Sequence, residues 1–92
     1  MRKRRDTWEI MGDILEAIAS SSKKETQKTV IMRRANLDFR TFEHYFQRLR
    51  KGEFIIVREE RVGKATRVFL AITEKGEKFR QLSKNLMQLN DN

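Results

Sequence analysis

Apolar residues recur at helical spacing in several blocks of the chain and at strand spacing in the region between the last two. After Asp6, the positions Ile10, Met11, Ile14, Leu15 and Ile18 make one stripe at a period of 3.6, which predicts a first helix over 7–19. Asp6 stands as its N-cap and Glu9 follows three residues later, a capping-box-like pair with aspartate in the place of serine or threonine. Trp8 lies at the edge of the stripe beside Met11 and Leu15. Residues 20–25 are a polar break. Thr26 is placed to cap a second helix over 27–35, with Val30, Ile31 and Met32 turned inward. Asn36 suits the end of that helix because it tolerates the left-handed conformation. Leu37 then plugs the turn, and Asp38 can cap the next helix by accepting backbone N–H bonds.

The third predicted helix, 38–51, has two unlike faces. Phe39, Phe42, Phe46 and Leu49 share one, with Tyr45 at its edge; Arg40, His44, Gln47, Arg48 and Lys51 share the other, which carries no carboxylate. A short helix, a three-residue turn and a longer helix is helix-turn-helix spacing. Gly52 ends the third helix. Two strands are predicted beyond it, 54–59 and 66–72; in the second, Val68, Leu70 and Ile72 alternate with Arg67, Phe69 and Ala71. Gly63 marks the hairpin loop, with Arg61 and Lys64 at its tip. Thr73 caps a last helix from Glu74 onward. There Phe79, Leu82, Leu86 and Leu89 are spaced 3, 4 and 3, which fits a dimer seam assisted by Trp8 or a helix packed back on its own domain. The predicted fold class is α+β: a three-helix core with a two-stranded wing and a C-terminal helix. It divides into an arm (1–5), a core domain (6–73) and the last helix (74–92).

Composition adds a direction to this layout. The 92 residues suffice for one domain, and their net charge is +8. The excess is segregated: Arg2, Lys3, Arg4 and Arg5 make a basic arm, 6–22 hold acids and no base, and the surplus of bases lies in 23–67. A thermophile-like surface would account for a charged fraction of 37% but not for that segregation. A one-sided basic surface points to a polyanion. Without cysteine, disulfides and thiolate metal sites are excluded, and a single histidine excludes a multi-histidine site, so no metal or cofactor is expected. No apolar run reaches membrane-spanning length, and no signal-peptide core follows the basic start, so a cytoplasmic protein is expected. Catalysis finds no constellation. His44 has only its neighbour Glu43, the serines at 20–22 lack an activating base, and the glycines at 12, 52, 63 and 76 are isolated. A non-enzyme is expected.

The segments EIMGDILEAI, MRRANLDFRTFEHYFQRLRKG and ITEKGEKF, in that order, resemble a winged helix-turn-helix domain, and more narrowly the small archaeal winged-helix proteins regarded as transcriptional regulators. Tyr45, Leu49 and Gly52 match that family's aromatic, leucine and terminal glycine in helix 3. Thr73 and Gly76 match its T-x-x-G start of the last helix. The chain departs from the pattern at Glu53, where the family carries an apolar residue. The resemblance implies binding to double-stranded DNA, a homodimer through the C-terminal helix, and residence with the nucleoid. Some relatives carry a longer coiled coil and act as chromatin proteins.

For a duplex, the donor types suggest a division of labour. Arg40, Thr41 and His44 lie nearest the helix start and are the base-reading candidates, with Gln47 able to bridge adenine. Arg48 and Lys51 are phosphate anchors, and Arg61, Lys64 and Arg67 would grip the backbone from the wing. Arg2, Lys3, Arg4 and Arg5 would follow the phosphates or enter a minor groove, if they are not simply a solubilising terminus. The same charges permit a low-specificity chromatin or RNA binder. A protein-interaction adaptor would need an exposed apolar patch on helix 3.

Overall fold

The computed structural model describes residues 6–90, apart from the side chains of Met87, Leu89 and Asn90. The arm residues Arg2, Lys3, Arg4 and Arg5 lie outside the described residues, as does the side chain of Leu89. The element order is α1 (Thr7–Ala19), β1 (Thr26–Gln27), α2 (Lys28–Arg34), α3 (Phe39–Lys51), β2 (Ile55–Val62), β3 (Ala65–Ile72) and α4 (Glu74–Asn90). This is the α+β layout expected: a helical core, a β-hairpin wing and a terminal helix.

Helix α1 starts where Asp6 accepts the Glu9 backbone N–H at 2.8 Å. All five residues of its predicted stripe are buried. They meet Ile31 of α2, Phe42, Phe46 and Leu49 of α3, and Ile55 and Leu70 of the sheet in one core. Phe42, Ile14, Leu15, Ile31, Leu49 and Leu70 are fully enclosed. In a chain this small, truncating such a residue to alanine costs about 2–5 kcal/mol, a large part of a typical domain's stability.

Two helix ends use the same device. After α2, Asn36 takes φ +56°, its N–H reaches the Arg33 carbonyl at 3.1 Å, and the Leu37 N–H reaches Met32 at 3.2 Å. After α3, Glu53 takes φ +63°, its N–H reaches Arg50 at 3.1 Å, and the Phe54 N–H reaches Leu49 at 2.9 Å. Both are Schellman closures, each followed by a residue turned into the apolar interior. The helix ends at Gly52 as expected, with that glycine as its C-cap. Gly52 keeps a helical φ of −79°, and the left-handed residue is Glu53. Glycine is needed at 52 for space, since a Cβ there would stand 2.5 Å from the Phe54 ring.

The expected Thr26 cap is also corrected. Thr26 and Gln27 pair with Leu70 and Phe69, adding a third strand in the order β1-β3-β2. Thr26 is buried by this pairing, and α2 begins two residues later with Gln27 as an N-cap that makes no side-chain bond. The backbone partners offered by β3 outweigh a surface cap worth about 1 kcal/mol. Strands β2 and β3 are longer than predicted and pair without interruption from Ile55↔Ile72 to Val62↔Ala65. Gly63 opens the two-residue loop with φ +63°, as a type II′ hairpin connection requires.

Helix α4 is tied to the turn that leads from α3 into the wing. The Thr73 hydroxyl accepts the Gly76 N–H at 3.0 Å and donates to the Glu53 carbonyl at 2.8 Å. The Thr73 N–H reaches the Phe54 carbonyl at 3.1 Å. Gly76 lies so close to that carbonyl that a Cβ would be 2.1 Å from its oxygen. The T-x-x-G motif is therefore a contact surface for the Phe54 backbone. Further along, α4 packs on α1: Ser83 is buried over Gly12, and Arg80 joins Glu16 of α1 at 2.8 Å.

Candidate nucleic-acid interface

The outward face of α3 is set by how its inward face is filled. Phe42 and Phe46 stack at 5.9 Å between ring centres, and Leu49 completes the buried line. Asp38 holds the start of the helix by accepting the Thr41 N–H at 2.7 Å, and that bond keeps its carboxyl below the usual aspartate range. Arg40, His44, Gln47, Arg48 and Lys51 are all exposed, as expected, while Thr41 is half-buried. A cleft of about 560 Å³ runs along the helix start, lined by Ile10, Asn36, Leu37, Asp38, Arg40, Thr41, His44 and Tyr45.

Two expectations for this face are corrected. Phe39 is not in the core; it is 67% exposed. The Phe42–Phe46 stack already occupies the space beneath the helix, so the first-turn ring is left outside. Nor is the face free of carboxylate. Glu43 lines a second, shallower cleft with Phe39, Arg40, His44 and Gln47. Its negative charge is matched: Lys28 of α2 sits 2.8 Å away, and the Gln47 amide donates to it at 3.2 Å. The Lys28 bond, more than the Gln47 bond, holds the Glu43 carboxyl below the usual glutamate range, while burial acts against it. Gln47 thus has one amide N–H engaged and keeps its second N–H and its carbonyl for the predicted adenine bridge.

The wing residues do not act as one group. Along β2 and β3, alternate side chains point to opposite faces. Arg61 pairs with Thr66 and shares the face of Ile55, Val57 and Leu70. Arg67 pairs with Glu60 on the other face, which also carries Arg58. Lys64 stands in the loop itself. Arg61, Lys64 and Arg67 are exposed and make no ion pair among the described residues. Arg58 is committed elsewhere. It grips Glu25 in the 20–25 loop through its Nε at 3.0 Å and lies over the Phe69 ring at 4.7 Å. That grip lowers the Glu25 pKa and raises that of Arg58.

The bases therefore sort into two sets. Lys28, Arg58 and Arg80 are spent on carboxylates within the fold. Arg40, Arg48, Lys51, Arg61, Lys64 and Arg67 make no such pair among the described residues. Sequence reasoning could not separate these sets, because Glu25 and Arg58, or Lys28 and Glu43, are distant in the chain. It also missed Phe39, whose helical phase alone puts it with the core.

The dimer candidates divide as well. Phe79 is half-buried in its own chain, stacked on Trp8 at 5.3 Å and edge-on to Phe54 at 5.2 Å. Trp8 is 60% exposed beside it. Leu82 and Leu86 are exposed on α4.

A family model described as winged helix-turn-helix matches residues 4–91. No curated protein matches the chain. Among solved structures, the crystal structure of Sso10a-2, a DNA-binding protein from Sulfolobus solfataricus, matches with a TM-score of 0.80 at 25% identity. It covers 96% of this chain and 84% of that one. BpsR of Bordetella bronchiseptica, whose DNA binding is regulated by 6-hydroxynicotinic acid, matches with a TM-score of 0.73 at 12% identity. That match covers 87% of this chain and 58% of BpsR, and at such identity it is a likeness of fold.

Proposed function

The chain belongs to the winged helix-turn-helix family, and on that premise we propose that it binds double-stranded DNA and regulates transcription, with α3 in the major groove. The observation that carries this reading is the outward face of α3, where Arg40, His44, Arg48 and Lys51 stand exposed and Arg40, Arg48 and Lys51 make no ion pair within the described fold. The likeness to a DNA-binding protein at 25% identity over nearly the whole chain supports it. Arg40 and His44 reach base edges, Arg48 and Lys51 hold phosphates, and Arg61, Lys64 and Arg67 hold the backbone from the wing. The arm Arg2, Lys3, Arg4 and Arg5 adds to the grip. Such a protein works in the cytoplasm against the nucleoid; among the described residues no helix is long and apolar enough to cross a membrane.

A salt titration on duplex DNA, with single-stranded DNA and RNA as competitors, tests the reading. Neutralising about six phosphates gives a slope of log affinity against log salt near −5. An affinity indifferent to salt, or a preference for RNA, refutes it.

We further propose a homodimer through α4. Leu82 and Leu86, 64% and 52% exposed, are its contact residues, with Trp8 at its margin; Leu89 follows them in the heptad spacing of the sequence. Phe79, held between Trp8 and Phe54, supports the helix from inside the protomer. Light scattering on the intact chain and on a Leu82→Asp, Leu86→Asp variant decides it; a monomer mass for both rules the seam out.

A further inference from the structure

Resting on the DNA-binding reading above, we propose that Phe39 is a specificity-determining residue that recognises the C5-methyl group of thymine in the major groove. The ring opens the first turn of α3 and is 67% exposed. It shares a shallow cleft of about 510 Å³ with Arg40, Glu43, His44 and Gln47. No aromatic or cationic side chain covers the ring among the described residues.

An isolated apolar ring on a surface needs no function. This one stands among the side chains that face the base edges, on a helix whose own core positions are filled by Phe42 and Phe46. Its neighbourhood also suits an anion. The Glu43 carboxylate is paired with Lys28 at 2.8 Å, so it does not repel an approaching strand, and Arg40 flanks the ring. The major-groove edges of the four base pairs offer donors, acceptors and one apolar group, the thymine methyl. A ring surrounded by hydrogen-bonding side chains has that methyl as its natural counterpart. The exposed surface is one ring among polar groups, which is too little apolar area for a protein-docking patch.

The test begins with the full chain and a randomised duplex library. In the selected site, each thymine is replaced in turn by deoxyuridine, which removes the methyl and keeps every hydrogen-bonding group. One position is expected to lose about fourfold in affinity, the value of taking one methyl group out of water. The Phe39→Ala variant is expected to bind the thymine and deoxyuridine duplexes alike, with an unchanged melting temperature because the ring is outside the core. Uniform tolerance of deoxyuridine by the native chain overturns the proposal without need of any variant. So does a thymine preference that survives in Phe39→Ala, or a selected site without thymine. Failure to bind any duplex overturns the DNA-binding reading itself, and is distinct from binding that ignores the methyl.

Discussion

Replacing Gly76 by alanine sets helix propensity against a backbone contact, and the two predict opposite signs. Alanine in a helix is favoured over glycine by about 1 kcal/mol. The added Cβ, however, would lie 2.1 Å from the Phe54 carbonyl oxygen and 2.9 Å from Ile72 Cγ1. An ordinary carbon–oxygen contact is over 3 Å, so α4 and the start of β2 must separate by roughly 1 Å. That shift falls on the Thr73 N–H to Phe54 carbonyl bond of 3.1 Å and on the Thr73 hydroxyl to Glu53 carbonyl bond of 2.8 Å. It also loosens the edge-on Phe54–Phe79 contact. Two hydrogen bonds at about 1 kcal/mol each and an aromatic contact of about 1 kcal/mol total roughly 3 kcal/mol. Subtracting the propensity gain leaves a net loss of about 2 kcal/mol, or a melting point lower by roughly 10 °C. Urea unfolding followed by circular dichroism measures the difference, and the slope of the transition should stay unchanged. A stability equal to or above that of the native chain would show that Gly76 is a plain helix residue and that the T-x-x-G motif is not a seat for the Phe54 backbone.

Thr26→Val should raise stability by about 1 kcal/mol, because the buried Thr26 hydroxyl has no hydrogen-bond partner; a loss of that size in urea unfolding would show the hydroxyl to be satisfied. Glu53→Gly should add about 0.5–1 kcal/mol by relieving the left-handed φ of +63°, and a lower melting point would contradict the closure described. Glu43 has its folded pKa depressed below 4.5 by Lys28, so its contribution is whole above that value and is lost as pH falls through the folded pKa. Stability should therefore drop below about pH 4.5, by roughly 0.5 kcal/mol less in Glu43→Gln, and identical acid profiles would reject the pair as a contributor. Arg40→Ala should relax sequence choice in a randomised library while Lys64→Ala weakens all duplexes alike; the reverse outcome exchanges their roles.

Local sequence determined the elements whose causes are local. Asp6, Asn36 and Asp38 mark helix ends through bonds to residues within a few positions, and each stands where its chemistry predicts. The stripe from Ile10 to Ile18 forms the core of α1 because burial follows the 3.6 period when one face alone meets the interior. Periodicity fails at Phe39, since phase shows which side a ring is on but not whether a neighbouring pair has filled the space. Thr26 shows a second limit: its residues read as a cap, yet β3, more than forty positions away, supplied backbone partners and made it a strand. Gly52 and Gly76 were visible as glycines, but only the approach of the Phe54 ring and carbonyl explains them. The charge map divides in the same way. The chain by itself carries the surplus of bases in its middle. Tertiary contacts decide which of them are spent, by bringing Glu43 to Lys28, Glu25 to Arg58 and Glu16 to Arg80. What remains on α3 and the wing is fixed by those distant pairings, because a cation's availability depends on its spatial neighbours and not on its place in the chain.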